Sequence, residues 1–161
     1  MRLRFLLSVT FLILSSVAPI SSFAKPYIIG YDETKAQIAN MTMLFYDRAH
    51  GTQVEYNGSN GKTYLLYPGN KVIVKGQWKL ERTDNPNVFN MCFKYPANSY
   101  NPATNQSGGS WECQKAGFYL IGPIERAQGD VLGLAKGDAA PFILQKRKTN
   151  LKSLVRKLPK P

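Results

Sequence analysis

Few side chains in this sequence of 161 residues have the type and spacing for chemistry. One histidine and two cysteines do not make a Cys/His zinc site by themselves, and no metal or cofactor is expected. His50 stands near a turn in Asp47-Arg-Ala-His50-Gly, with Asp47 close enough to orient it. No G-x-S-x-G elbow supplies a nucleophile for it to activate, so it reads as a solvated turn residue. Asn57 to Thr63, NGSNGKT, has the look of a phosphate loop. Tyr56 stands where the first glycine belongs, however, and the segment lies between two strand-like runs instead of before a helix. Glycoside chemistry needs two coupled carboxylates. Glu55, Glu81, Asp84 and Glu112 are available, and nothing in the sequence couples any two of them. Glu112, beside Trp111 on the loop flank, is the least unfavourable of them and reads as a surface charge. The chain reads as non-enzymatic.

What the cysteines do depends on where the chain works. Met1-Arg-Leu-Arg4 is basic, and Phe5 to Ile20 is uncharged and almost wholly apolar or small. Ser22-Phe-Ala24 then offers small residues to a signal peptidase. This is the three-part secretory pattern, and its apolar run is shorter than the ~20 residues of a spanning helix. Residues 1–24 are expected to be a signal peptide, and the mature chain from Lys25 to be periplasmic or secreted. Disulfides persist in such compartments. Cys92 and Cys113 are the only pair available and flank a loop from Pro96 to Ser110. A hairpin would bring them opposite each other. They lack the C-x-x-C spacing of a redox couple, so a structural disulfide is expected.

Charge is segregated along the mature chain. Residues 25 to 140 carry 12 basic and 10 acidic side chains. From Pro141 onward there are seven basic ones (Lys146, Arg147, Lys148, Lys152, Arg156, Lys157, Lys160) and no acid. Leu151, Leu154, Val155 and Leu158 follow a cap at Thr149 or Asn150 with the i, i+3, i+4, i+7 spacing of one apolar stripe. Pro159 stops the helix. So short a helix is not stable alone in water, and its stripe must be buried. It packs either on the protein's own sheet or on an anionic surface. The expected division is a signal peptide over 1–24, a stapled β domain over 25–145 and a basic amphipathic tail over 146–161.

The body that positions these residues reads as strands and turns. Asp32 to Met43 is a short helix candidate leading into a strand at Met43 to Tyr46. Thr52 to Tyr56 and Lys62 to Tyr67 flank Asn57-Gly-Ser-Asn-Gly61 as a hairpin. Val72, Val74, Gly76, Trp78 and Leu80 share one face of a half-buried antiparallel strand with lysines between or beside them, and Gly76 suggests a bulge or bend. Val88 to Tyr95 puts Phe89, Met91, Phe93 and Tyr95 on one face. Trp111 to Leu120 is read as continuing the sheet, with weaker strands at Val131 to Leu134 and Pro141 to Leu144. Seven or eight short strands predict a mainly β fold, a small antiparallel barrel or sandwich.

The succession Tyr67-Pro-Gly-Asn70, Gly76-Gln-Trp78, Cys92-Phe93 and Gly109-Ser-Trp-Glu-Cys113 resembles the small exported bacterial proteins grouped as domain of unknown function 995. The likeness covers roughly Thr34 to Leu134. It implies an envelope location and no particular activity, and it carries over no functional residue.

Two main readings of function follow. One is an exported binding or interaction module whose basic tail docks on an anionic envelope surface or polymer. The other is an enzyme, or an inhibitor of enzymes, using a barrel cleft or the loop from Pro96 to Ser110, whose Asn, Gln and Tyr side chains suit contacts. Export removes nucleic acid as the usual partner of a basic protein, and no segment after the leader is long and apolar enough to span a bilayer.

Overall fold

The computed structural model describes residues 30–159; the expected signal peptide and Lys160 lie outside them. A six-residue helix, α1 (Tyr31–Ala36), opens the described chain. It leads into β1 (Met41–Asp47), β2 (Gly51–Asn57), β3 (Lys62–Leu66), β4 (Val74–Arg82) and β5 (Phe89–Lys94). A small hairpin follows, β6 (Tyr100–Asn101) with β7 (Gln106–Ser107), then β8 (Glu112–Lys115), α2 (Ala116–Ile121), β9 (Glu125–Gln128) and, near the end, α3 (Leu151–Val155). Seven strands make one sheet in the order β8-β5-β4-β3-β2-β1-β9, antiparallel throughout.

The mainly β, antiparallel expectation holds. The barrel does not close, and the described residues hold no second large sheet: β8 and β9 are the edges of one curled sheet. Tyr119 of α2 measures the curl. Its ring lies 5.3 Å from that of Phe45 on β1 and 5.2 Å from that of Phe93 on β5. Those strands are four spacings apart and would be separated by ~19 Å in a flat sheet. The sheet wraps around this one side chain, and α2 takes the place where the edges would otherwise approach.

Register assigns the side chains to two faces. Met43, Glu55, Leu65 and Val74 are successive cross-strand partners and point to the front. Trp78 and Leu80 are paired with Phe93 and Met91 on the same side. Met43, Trp78, Leu80, Phe89 and Met91 pack there against Ile38 and against Ala116, Tyr119 and Leu120 of α2. Leu44, Val54 and Leu66 point to the back, where Leu132, Leu134, Leu144, Leu151 and Leu154 cover them. The central strands are therefore buried on both sides and the structure has two apolar cores.

Several expected elements changed. Trp111 to Leu120 is not one strand: the chain leaves β8 and winds into α2, burying Ala116, Tyr119 and Leu120 at helical spacing while Phe118 and Ile121 stay exposed. Val131 to Leu134 and Pro141 to Leu144 are not strands either. Irregular backbone lets Leu132, Leu134 and Leu144 seat in the back core. The polar β9, which pairs with β1, was not foreseen. Gly76 forms no bulge, since its pairing with Thr63 is in register.

Candidate functional site

The expected disulfide is present: Cys92 and Cys113 are bonded and are direct cross-strand partners on β5 and β8. Glu81 lies beside them, one carboxylate oxygen 3.5 Å from the Cys92 sulfur. Glu81, Cys92 and Cys113 cluster closely enough to suggest a metal site. The two sulfurs are spent on each other, however, and Lys79 pairs with the carboxylate. The donor set that remains is one neutralised carboxylate, which is no metal centre.

The tail packs on the body. Asn150 caps α3 by accepting a hydrogen bond from the Ser153 amide at 2.8 Å, and Glu125 of β9 accepts one from the Leu151 amide at 2.7 Å. Leu151 and Leu154 are buried in the back core, Leu158 is partly buried against it, and Val155 stays exposed. The preceding segment is pinned too: Thr52 donates its amide to the Lys146 carbonyl and its hydroxyl to that of Arg147. A side chain at Gly51 would meet Lys146 backbone at 2.6 Å. Lys146, Arg147, Lys148, Lys152, Arg156 and Lys157 nonetheless stay exposed, with the Lys148 ammonium 5.8 Å from the Tyr46 ring and that of Lys157 5.7 Å from the Phe142 ring. Among the described residues the ion pairs are Lys75–Asp138 and Lys79–Glu81, and neither involves the tail.

His50 has no catalytic setting. Asp47 does not orient its ring; that carboxylate accepts the amides of Ala49 and His50 in a local turn. The imidazole Nδ1 lies 3.2 Å from the Tyr67 hydroxyl instead. Asn57 to Thr63 is a hairpin connection. Gly58 donates to the Lys62 carbonyl and accepts from the Trp78 indole, so these groups serve the fold.

The arrangement that sequence reasoning missed is on the front face. Glu55 is buried on β2 and is the hub of a hydroxyl network. Tyr95 donates to one carboxyl oxygen, and the Thr63 hydroxyl lies 2.8 Å from the same oxygen. Tyr119 donates to the other at 3.3 Å while accepting from the Asn57 amide at 2.6 Å. Thr63 is also 3.0 Å from the Asn57 carbonyl oxygen. Burial pushes the Glu55 carboxyl up from its ordinary value, and the hydroxyls of Tyr95, Thr63 and Tyr119 offset part of that. Burial, followed by the Glu55 charge, holds both Tyr95 and Tyr119 well above the usual phenol range. No buried side-chain nitrogen or oxygen among the described residues lacks a partner. Gln53, Glu55 and Asn57 alternate with Thr52, Val54 and Tyr56 along β2, a pattern that reads as a solvent-facing polar edge. The available signal was the polar face itself; the tyrosines that meet it come from the end of β5 and from α2, 40 and 64 residues further on.

Gly76 gives Tyr95 its room. A Cβ there would lie 2.7 Å from the Tyr95 ring, 2.8 Å from the Lys94 carbonyl and 3.0 Å from the Thr63 methyl. The strand backbone cannot yield cheaply, so Gly76→Ala is expected to cost about 2 kcal/mol in urea unfolding. Gly117, in α2 with open space around it, is the contrasting position: Gly117→Ala is expected to raise stability by about 0.5 kcal/mol.

Tyr95 also forms part of the wall of a groove of about 550 Å³. One wall is the sheet, with Gln53, Leu65 and Val74; the other is the loop carrying β6 and β7. That loop is tied back on itself. Ser99 donates its hydroxyl to the Pro96 carbonyl, Gly108 donates to Ser99 and Gly109 donates to Tyr95. Of the four carboxylates noted in the sequence, Glu55 sits behind Tyr95 and Glu112 lines the groove, while Glu81 and Asp84 are elsewhere. Comparisons with protein-family models, with curated proteins and with solved structures found no match.

Proposed function

We propose that this protein is an exported, non-catalytic binding module of the cell envelope that docks on an anionic surface through its C-terminal basic residues. The observation that carries the reading is the display of Lys146, Arg147, Lys148, Lys152, Arg156 and Lys157. Their backbone is anchored to β2 and the back core, while their charges are solvent-exposed and without ion-pair partners among the described residues. Because Leu151 and Leu154 are already buried, docking is electrostatic and peripheral, with no insertion of the helix. The amino-terminal secretory pattern, the disulfide and the resemblance drawn from the turn and cysteine motifs support an envelope location. No helix among the described residues is long and apolar enough to cross a membrane.

The test is co-sedimentation of the mature chain with vesicles containing phosphatidylglycerol, against vesicles of phosphatidylcholine alone. Binding is expected only to the former and is expected to weaken steeply between about 0.02 M and about 0.3 M salt. Replacing Lys146, Arg147 and Lys148 with glutamine removes three charges at about 1 kcal/mol each, roughly a hundredfold in affinity. Charge variants are the right probe. Leu154→Asp would break the back core and confuse binding with unfolding. Equal binding to neutral vesicles, or no effect of the triple variant, overturns the proposal.

A further inference from the structure

The groove between the sheet and the β6–β7 loop is built for a ligand of different chemistry, and we propose that it binds a neutral oligosaccharide. Its polar lining is dominated by groups that both donate and accept: Gln53 on the sheet, and Asn98, Ser99, Asn101, Gln106 and Ser107 on the loop. Vicinal sugar hydroxyls have the same dual character. Charge is sparse. Of the charged residues along it, Lys71, Lys75 and Glu112, Lys75 turns its side chain to the back of the sheet and pairs with Asp138, so nothing like an anion clamp faces the cavity.

The groove also offers apolar surface where a pyranose presents its C–H face. Tyr100 is 60% exposed, and its hydroxyl is tethered across the small hairpin to Asn105. That tether restricts the ring, and its exposure leaves aromatic surface for stacking. Leu65 and Val74 line the opposite wall. Both walls are tied down by contacts within the fold. The Tyr95 hydroxyl is anchored on Glu55, and the loop closes through Gly108, where any Cβ would lie 2.2 Å from the Pro96 carbonyl oxygen. Such preorganisation lowers the ordering cost of binding. The volume falls in the range of small-ligand sites.

The groove is on the front face and the tail on the back, so this inference is independent of the docking proposal. The test is calorimetric titration of the mature protein with three uncharged probes: maltohexaose, cellohexaose and the hexamer of N-acetylglucosamine. Saturable binding of at least one is expected, with Kd of about 0.1–1 mM, insensitive to salt and to the Lys146/Arg147/Lys148 glutamine variant. Tyr100→Ala, at an exposed position, is expected to weaken binding about tenfold with unchanged melting, and Gln53→Ala to weaken it as well. Absence of saturable binding to all three probes at about 10 mM overturns the proposal. So does binding that survives both substitutions unchanged. Binding confined to an anionic polysaccharide such as polygalacturonate, and lost in the tail variant, would assign sugar contacts to the tail and also overturn it.

Discussion

Glu55→Ala is expected to lower the unfolding free energy by about 3 kcal/mol, measured by urea denaturation. The substitution removes the acceptor that Tyr95, Thr63 and Tyr119 share inside the front core. Thr63 and Tyr119 keep Asn57 as a neighbour; the Tyr95 hydroxyl is left without its carboxyl partner. Glu55→Gln preserves shape and an acceptor and is expected to lose much less. The pair of variants also isolates the titration. The ordinary value of this carboxyl is 4.5, and burial raises it in the fold. Between those two values the folded protein holds one more proton than the unfolded chain. Its stability contribution is therefore complete below the ordinary value and falls as pH rises through the window. Relative to Glu55→Gln, the wild-type protein should lose up to about 1.4 kcal/mol per pH unit there. A loss below about 1 kcal/mol on Glu55→Ala, with no pH-dependent difference between wild type and Glu55→Gln, would show that water reaches the network and that Glu55 does not anchor Tyr95.

Removing the disulfide is the second large effect. Cys92 and Cys113 are 21 residues apart in sequence and close the loop that carries β6 and β7. Cross-linking over that length restricts the unfolded chain by about 3 kcal/mol in the entropy model. The double substitution Cys92→Ser, Cys113→Ser, and separately reduction of the native protein, should lower stability by that amount. The loss should appear with β8, an edge strand held in the sheet by β5 among the described residues. An unfolding midpoint that does not move under reductant, once thiol titration has confirmed two free cysteines, would remove the staple from the account of stability. The loop it closes is also one wall of the groove, so the reduced protein is the natural control for the saccharide titration.

Where the strand pattern could be read depended on what covers each strand. β4 alternates cleanly because Trp78 and Leu80 face the front core while Lys75 and Gln77 are exposed on the other side. β1 and β2 do not alternate in burial, because α2 covers them in front and the C-terminal segment behind. In β2 this turned a polar face into a buried one and hid Glu55. The run Phe118-Tyr-Leu-Ile121 has strand composition. Its helical state follows from burying Tyr119 and Leu120 together, a choice made by the front core. β9 has no apolar periodicity to announce it and exists because β1 offers an edge.

Local chemistry along the chain was enough to determine the cysteine pair, the β2–β3 hairpin, the amphipathic face of β4, the segregation of basic charge and the capped α3. Each of these rests on neighbours a few residues apart or on residues too few to pair otherwise. Tertiary structure alone decided the rest: that the sheet stays open around Tyr119, that a carboxyl on β2 meets two tyrosines 40 and 64 residues further on, and that the tail's leucines face the sheet. Those outcomes depend on which long-range surfaces are mutually available for burial. That is a property of the assembled sheet, and no periodicity in a short window encodes it.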